Sequence, residues 1–273
     1  MLQALSWLPR TEGSIRLGFR HRDGQTMLDT LYQAGAARVR FPKVAAGQPT
    51  QAVLLNTAGG FTGGDRLDVD VRLAARTRAL VTTAAAEKIY RAREGETTVR
   101  VKLAAGEGAA LTWLPQATIL FDRARFERRT DVDLAPDSSF LAVESFVFGR
   151  AAMGEQMHTG YCRDVWRVRR DGRLIFADTF LADGPVARML ERPATLGGAR
   201  SVAMIIYIAP DAAQRIKVVR GVLESAGSTA GASAWNGMLV ARALAPDGRT
   251  LAAGIKRVAE RLSGHPMPRV WQC

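Results

Sequence analysis

The sequence contains little cysteine and little histidine. Only two cysteines, Cys162 and Cys273, occur among 273 residues, which is too few for a disulfide framework and is typical of a reducing compartment. The three histidines, His21, His158 and His265, lie far apart, and none stands at zinc-ligand spacing from another histidine or from a cysteine. We therefore expect no structural zinc site, and we expect Cys162 to be a packed strand cysteine rather than a reactive thiol.

Long hydrophobic runs are also missing. The longest apolar stretch, Val202 to Pro210, is too short to span a bilayer and instead predicts a buried strand. The first twenty residues have no basic start followed by a long apolar run, so that we expect no signal peptide. Together these features predict a soluble, cytoplasmic protein without a membrane partner.

Familiar catalytic and nucleotide-binding motifs are absent. The sequence has no G-x-S-x-G and no H-E-x-x-H. The nearest approach to a named motif is the loop NTAGGFTGGD, Asn56 to Asp65, which holds the glycine pairs Gly59-Gly60 and Gly63-Gly64. A phosphate-binding loop would continue with lysine and a hydroxyl residue before a helix, whereas this loop ends in an aspartate and lies between two strand-like segments.

We therefore interpret the loop as a tight turn in which Asp65 and Thr62 hydrogen-bond turn amides. The alternative is a β-rich ligand-binding or enzymatic domain with an anion site at the loop from Gly59 to Asp65.

Charge of one sign predominates. Lysine and arginine number 38 against 26 acidic residues, giving a net charge of +12 and a pI near 10.7. Such a surface favours acidic partners. The arginines are scattered, however, and the densest patch, RRDGR at Arg169 to Arg173, is interrupted by an Asp-Gly turn. A basic surface that serves solubility and protein docking is therefore favoured over nucleic-acid binding.

Alternation of apolar and polar residues with period two predominates along the chain. Apolar side chains alternate with charged or small ones in at least four segments, near Ile15–Phe19, Leu67–Leu73, Val99–Leu103 and Trp166–Val168. Turn signals such as Asp-Gly and Gly-Gly separate these segments. The pattern predicts a mainly β fold of many short strands in stacked or wrapped sheets, resembling a helical β architecture, as a single large domain over residues 1–273. We detect no fixed-period repeat.

Helical periodicity is confined to the C-terminal half, where we expect two α-helices. The first follows Asp211 as N-cap and carries an apolar face through Ile216, Val219 and Leu223. The second has an apolar stripe over residues 251–262 and is closed by Gly264 and Pro266. The segment AAAEKIYRA, at residues 84–92, is ambiguous between helix and strand.

Several charged residues lie beside apolar strand-like segments. Glu144, within FLAVESFVFG, either faces solvent or is buried with a partner, for which Lys88 or an arginine is a candidate. Glu87 and Lys88 are adjacent in the ambiguous segment. Glu155, which follows Gly154, is interpreted as a solvated turn residue. We interpret Asp122 as a residue that stabilises a turn by contacting Arg123 or Arg125. The alternative is that this stretch is an exposed recognition edge.

Five sequence motifs, taken together with their order along the chain, resemble the UreD family of urease accessory proteins, called UreH in some systems. They are LLNTAGGFTGGDRL, TTAAAEKIYRA, LPQATILFDRARFER, ESFVFGRAAMGE and the PRVW tail, which together extend from about Gly13 to Trp271. The resemblance implies a β-rich scaffold with two helices that is not an enzyme. It implies binding to the urease structural subunits and recruitment of a UreF-type protein and of UreG, a GTPase that carries nickel.

The resemblance further implies that the assembly promotes nickel insertion and lysine carbamylation in urease. On the family's proposed model, nickel passes through an internal polar passage, for which Asp65, Glu87, Lys88 and Glu144 are the candidate lining residues. Such a relay needs weak, exchangeable oxygen ligands, because a tight site would trap the ion. We therefore expect transient nickel and no tightly bound cofactor.

Overall fold

Successive strands stack in parallel, turn upon turn, so that the chain forms a β-solenoid. The computed structural model describes residues 10–150 and 153–272. The strands are β1 (Glu12–Arg22), β2 (Gln25–Gly35), β3 (Ala37–Arg40), β4 (Thr50–Asn56), β5 (Arg66–Leu73), β6 (Arg78–Thr83), β7 (Glu87–Ile89), β8 (Thr97–Ala105), β9 (Ala110–Leu114), β10 (Thr118–Leu120), β11 (Arg125–Leu134), β12 (Ser139–Phe148), β13 (Gly160–Arg170), β14 (Arg173–Gly184), β15 (Ser201–Ile208), β16 (Thr229–Trp235) and β17 (Met238–Ala245).

These strands form two sheets. The seven-stranded sheet has the order β14-β13-β11-β8-β5-β1-β2, and the ten-stranded sheet has the order β16-β17-β15-β12-β9-β6-β4-β3, with β7 and β10 joined beside β12. The central pairs of both sheets are parallel, and antiparallel hairpins such as β13–β14 close the ends. The mainly β prediction is thus confirmed.

One turn of the solenoid contributes a strand to each sheet. Arg66 of β5 pairs with Thr98 of β8, and Thr98 pairs with Glu127 of β11, so that the chain returns to the same position after roughly 30 residues. Sequence inspection missed this period because the turns share only the alternation of apolar and polar residues, without shared residue identities. Alternation specifies which face a side chain occupies and is repeated at every second residue, so that it hides the longer period.

The core has two parts. One lies between the two sheets, where the alternating apolar residues of β1, β5, β8 and β11 meet those of the other sheet. The second lies between the ten-stranded sheet and two helices. The strand face toward the helices carries Leu141 and Val143 of β12, while Phe140, Ala142 and Phe146 of the same strand face the first core.

Three α-helices occur in the described residues, α1 (Val186–Glu191), α2 (Ile216–Ser225) and α3 (Gly248–Ser263). The second predicted helix is α3: Asp247 caps it by accepting the Thr250 amide at 2.8 Å, and Gly264 ends it with φ of 70°. The first is α2, but it begins five residues after Asp211. That carboxylate instead accepts the Tyr207 hydroxyl and the Arg215 guanidinium.

Two further sequence expectations are decided by the structure. The ambiguous segment at residues 84–92 contains a strand, β7, and the apolar stretch from Val202 is the buried strand β15. The short helix α1 went unpredicted, because six residues do not display a helical period. None of the helices in residues 10–150 and 153–272 has the length and apolar character needed to cross a membrane. Residues 1–9 of the N-terminal segment used for the signal-peptide expectation, and Cys273, lie outside the described residues.

Two glycine substitutions test this account of the helices. Gly264→Ala places a side chain at a left-handed φ of 70° and should lower the free energy of unfolding by about 1 kcal/mol. Gly221→Ala, in the interior of α2 where a Cβ would meet no atom within 4 Å, should raise it by about 0.5–1 kcal/mol. Urea unfolding followed by circular dichroism measures both. Changes of the same sign would contradict the helix boundaries.

Candidate functional site

The glycine loop from Asn56 to Asp65 is a tight connection between β4 and β5. Gly59, Gly60 and Gly64 have φ of 77°, 151° and 89°, a backbone region that favours glycine. A Cβ on Gly63 would lie 2.1 Å from the Glu94 carbonyl oxygen, so that only glycine allows this close approach. The loop therefore needs its glycines for backbone geometry.

Asp65 stabilises this loop from within. It is buried, and its two carboxylate oxygens accept the backbone amides of Thr11 and Thr62, each at 2.7 Å. The Thr62 hydroxyl donates to the Arg91 carbonyl at 3.0 Å. Asp65 is not among the residues that line the interior cavity described below.

Most amides of this loop are already hydrogen-bonded within the protein. Thr62 donates to Asp65 and Ala58 donates to Asn56, whereas Phe61, Gly64 and Asp65 donate to backbone carbonyls. An anion cradle requires several free amides that converge on one point. The geometry of the loop therefore favours a structural turn over the alternative anion site.

A buried cluster of charges lies between the two sheets, built on Arg128, Glu144 and Asp164. Arg128 of β11 and Asp164 of β13 are direct neighbours in the parallel ladder, and Arg128 Nε donates to Asp164 Oδ1 at 2.8 Å. Trp166 Nε1 donates to Asp164 Oδ2 at 3.0 Å and fixes that carboxylate. Glu144 of β12 reaches the same guanidinium from the opposite sheet, with Oε1 2.8 Å from Arg128 Nη1.

The cluster leaves several polar atoms without a hydrogen-bond partner. Both carboxylate oxygens of Glu144 lack one, because the close contact with Arg128 is an ion pair without hydrogen-bond alignment. Arg128 Nη2 and Thr130 Oγ1 are also buried and unpartnered. Unsatisfied buried polar atoms are rare in folded proteins and mark sites where water or an ion belongs.

Burial controls the protonation of this cluster. Burial raises the pKa of Glu144 to about 8, since one guanidinium shared with Asp164 does not compensate for lost hydration. Burial alone would lower the pKa of Arg128, but the two carboxylates outweigh it and hold that pKa above its ordinary value. Burial also raises the pKa of Cys162 well above its usual range, in agreement with a packed, unreactive strand cysteine.

A cavity of about 260 Å³ leads from the surface toward this cluster. Its outer end is lined by the loop before β7 and by Asn56, Glu87 and Lys88. Its inner end is lined by Thr118 and Arg128, and most of the wall between them is apolar. Glu144 is not among the lining residues; the cavity joins the Glu87 carboxylate at its outer end to the Arg128 guanidinium at its inner end, and that guanidinium is paired with Glu144.

Glu87 is held at the outer end of the cavity by two donors. The Asn56 side-chain amide and the Lys88 backbone amide donate to its Oε1 at 3.1 Å and 3.2 Å. Burial raises the pKa of Glu87 to about 7, and these donors oppose the shift only in part. The C-terminal PRVW segment supports the same region from outside: Gln116, which lines the cavity, donates to the Val270 carbonyl at 2.9 Å.

The other charged residues singled out in the sequence form a separate group. Asp122 Oδ1 accepts the amides of His158 and Thr159, at 2.7 and 3.0 Å, and its Oδ2 lies 3.7 Å from Arg123 Nε. Glu155, beside Gly154, is half-buried, pairs with the Arg150 guanidinium and accepts the Asp122 amide at 3.2 Å. These residues tie the turn before β11 to the segment before β13.

Sequence inspection missed Arg128 and Asp164. The alternation Phe126, Arg128, Thr130, Val132 places Arg128 on the inward face of β11, in a ladder position next to Val99. The signal available in the sequence was a charged residue at a position where the alternation of apolar and polar residues calls for an inward-facing apolar side chain. No cluster of three or more histidine, cysteine, aspartate or glutamate side chains arranged to hold a metal ion occurs in the part of the chain that the structure describes.

These features define a class: a β-solenoid protein whose interior cavity ends at a buried, charge-paired cluster. Comparison with known proteins gives the family. The model of the UreD urease accessory protein family matches residues 11–272. The urease accessory protein UreD of Azorhizobium caulinodans is 46% identical over 263 residues, covering 96% of each chain. That of Rhizobium etli is 47% identical over 263 residues, covering 96% of this chain and 95% of its own. The chain belongs to the UreD urease accessory protein family.

Removal of the central cation tests the buried cluster. Arg128→Met leaves two buried carboxylates without their counter-ion and should lower the free energy of unfolding by about 3–5 kcal/mol. The neighbouring Arg129, which pairs with Asp131 on the exposed face, is the matched control. Arg129→Met should cost less than about 1 kcal/mol. Equal losses in urea unfolding would contradict the pairing described.

The raised pKa of Glu144 predicts a pH dependence. Between its ordinary value of 4.5 and about 8, the folded chain retains a proton on this carboxyl that the unfolded chain has released. The corresponding stability is complete below pH 4.5 and is lost as the pH rises toward about 8. The stability difference between wild type and Glu144→Gln should therefore shift against wild type from about pH 5 to about pH 8.

Unfolding at several pH values measures this difference, with Glu107→Gln on an exposed turn as the control. A difference that does not vary with pH would contradict a protonated Glu144 in the folded chain.

Proposed function

We propose that this chain is a maturation scaffold that binds the urease structural subunits, recruits a UreF-type protein and a UreG-type GTPase, and conducts nickel toward the urease metallocentre in the cytoplasm. It acts without catalysing a reaction itself, and nickel is its transient cargo. The observation that carries the conduction step is the cavity of about 260 Å³ that runs from Glu87 to Arg128, whose guanidinium is paired with Glu144. Membership of the UreD family supports the partners.

The donor chemistry of the cavity suits a divalent cargo in transit. The oxygens of Glu87 and Asn56 at the outer end and of Thr118 at the inner end are exchangeable, single-residue donors. Cys162 is a buried thiol with a raised pKa, so that it does not supply a thiolate ligand. Because each end of the proposed passage offers one carboxylate, a divalent ion bound there keeps part of its water shell and dissociates readily.

Arg128 would control the inner end of the passage. Its guanidinium repels a cation unless its charge is compensated, and Asp164 supplies that compensation through a bond fixed by Trp166. Glu144 then remains as the carboxylate whose oxygens carry no hydrogen bond. An arriving divalent ion competes with Arg128 for Glu144 and favours its ionised form, and the proton that Glu144 loses passes to water in the cavity.

The cavity carboxylates can be tested together. The double variant Glu87→Gln and Glu144→Gln keeps the shape of both side chains and removes both ionisable carboxyl groups. We expect it to lower the nickel content and the activity of matured urease by about tenfold, because a divalent ion then crosses the cavity without a carboxylate to replace lost hydration. Nickel is measured by elemental analysis of purified urease.

The same experiment separates conduction from assembly. Affinity purification should recover the urease subunits, the UreF-type protein and the UreG-type GTPase equally with wild type, with the double variant and with the control Glu107→Gln. Asp65→Asn is a third arm: because both Asp65 oxygens hold backbone amides, it should act through chain stability. Normal nickel loading by the double variant would refute the passage, and failure of wild type to bind any of these proteins would refute the scaffold.

A further inference from the structure

The strand β16 forms one edge of the ten-stranded sheet. In the described part of the chain it pairs only with β17. Its sequence, TAGASAW, contains neither lysine nor proline, the residues with which proteins commonly block an exposed edge. An edge of this composition can accept another strand.

The hairpin register shows which backbone groups point outward. β16 and β17 are joined by the two-residue turn Asn236-Gly237, with φ of 50° and 71°, so that the flanking pair Trp235 and Met238 is hydrogen-bonded. Hydrogen-bonded and open pairs then alternate along the ladder. The open pairs direct the N–H and C=O groups of three residues away from β17, at Ala230, Ala232 and Ala234.

One of these outward-facing carbonyls already accepts hydrogen bonds from a cationic side chain. Arg220 of α2 donates from both Nε, at 3.2 Å, and Nη2 to the Ala232 carbonyl oxygen. Arg220 is exposed, and among residues 10–150 and 153–272 it makes no ion pair with an acidic side chain. A guanidinium held at a strand edge, next to free amides, is placed to receive a carboxylate.

A groove of about 390 Å³ lies beside this edge and extends onto β17. Its lining includes Arg220, Ser233, Trp235 and Arg242. Arg242 is bound to Asp178 of β14 at 2.8 Å, and Trp235 is 41% exposed at the end of the strand. The groove therefore offers backbone donors and acceptors, a positive rim and one aromatic surface.

We propose that the outer edge of β16 receives an extended segment of a partner protein that carries an acidic side chain for Arg220 and an apolar side chain for Trp235. This inference rests on the proposed scaffold function and names the surface by which a partner is held. Charge complementarity argues for an acidic partner, because the chain carries a net charge of +12. A second copy of this chain would bring like-charged Arg220 side chains together at the paired edges.

Site-specific cross-linking tests the occupant. The photoreactive residue p-benzoylphenylalanine replaces Ser233, which is exposed in the groove, in the full chain assembled with urease apoprotein, the UreF-type protein and the UreG-type GTPase. We expect cross-links to one extended, acid-containing segment of a partner, identified by mass spectrometry. The same probe at Gln25, on the edge of the other sheet, should not capture that segment.

A charge reversal provides the second measurement. Arg220→Glu should weaken assembly by about tenfold, because the carboxylate of the partner then meets a like charge. The matched control is Arg257→Glu, the same charge change at an exposed position of α3, which should change the affinity less than about twofold. On assembly, amide exchange in residues 229–235 should slow for wild type and for the control, and remain fast for Arg220→Glu.

The outcomes separate this inference from the proposed function. The edge site would be overturned by cross-links from position 233 to a helix or to a second copy of this chain, or by an equal effect of the two charge reversals. In those cases, recovery of the assembled complex would still support the proposed scaffold function. Absence of any complex with wild type would overturn both.

Discussion

In the central parallel strands of the solenoid, such as β5, β8 and β11, inward-facing side chains are stacked against the equivalent side chains of the neighbouring turns. The parallel register imposes this constraint: Val71 stands beside Leu103, and Leu103 stands beside Val132. A residue at an inward position therefore needs an apolar neighbour if it is apolar and a counter-charge if it is charged. The fold and the site both follow from how each turn meets this requirement.

Arg128, Asp164 and Glu144 are inward positions that carry charged side chains, and Arg128 is the one that contacts the other two. On one side its ladder neighbour is Val99, which offers no compensation, and on the other it is Asp164, which does. The second counter-charge, Glu144, comes from the facing sheet. Burial removes hydration from Glu144 and the nearby Asp164 carboxylate opposes its ionisation, and the one shared guanidinium does not offset both, so that the pKa of Glu144 is raised. A buried carboxyl whose charge is not fully compensated contributes little to the stability of the fold, and the proposed passage gives a reason for its presence.

The fold was largely predictable from the sequence because its signal is local. Alternation with period two identified the strands that carry Ile15, Val69 and Val101, and an apolar stripe with a closing glycine identified α3. The solenoid period was not predictable in the same way. It is a relation between residues roughly 30 positions apart, and the turns fill equivalent inward positions with different side chains of similar polarity, such as Leu103 and Val132.

The site was predictable only in part, for a related reason. Glu87 and Glu144 attracted attention because each is a charge among apolar neighbours in the sequence. Arg128 did not, because it lies within RARFERRT, where charge is common and the inward position is apparent only from the register. Glu144 has an arginine as its partner and not Lys88, since Lys88 is exposed on β7 at the outer end of the cavity.

The apolar wall of the cavity is as informative as the carboxylates at its two ends. A passage lined throughout by carboxylates would bind a divalent ion at many points and hold it, whereas a wholly apolar one would exclude it. Here one carboxylate stands at the entrance, one is paired with Arg128 at the inner end, and the wall between the two ends is mostly apolar. Each end offers a single weak ligand, and the guanidinium lowers the affinity of the inner one. An arrangement of this kind favours movement of a divalent ion over storage, as the proposed conduction of nickel requires.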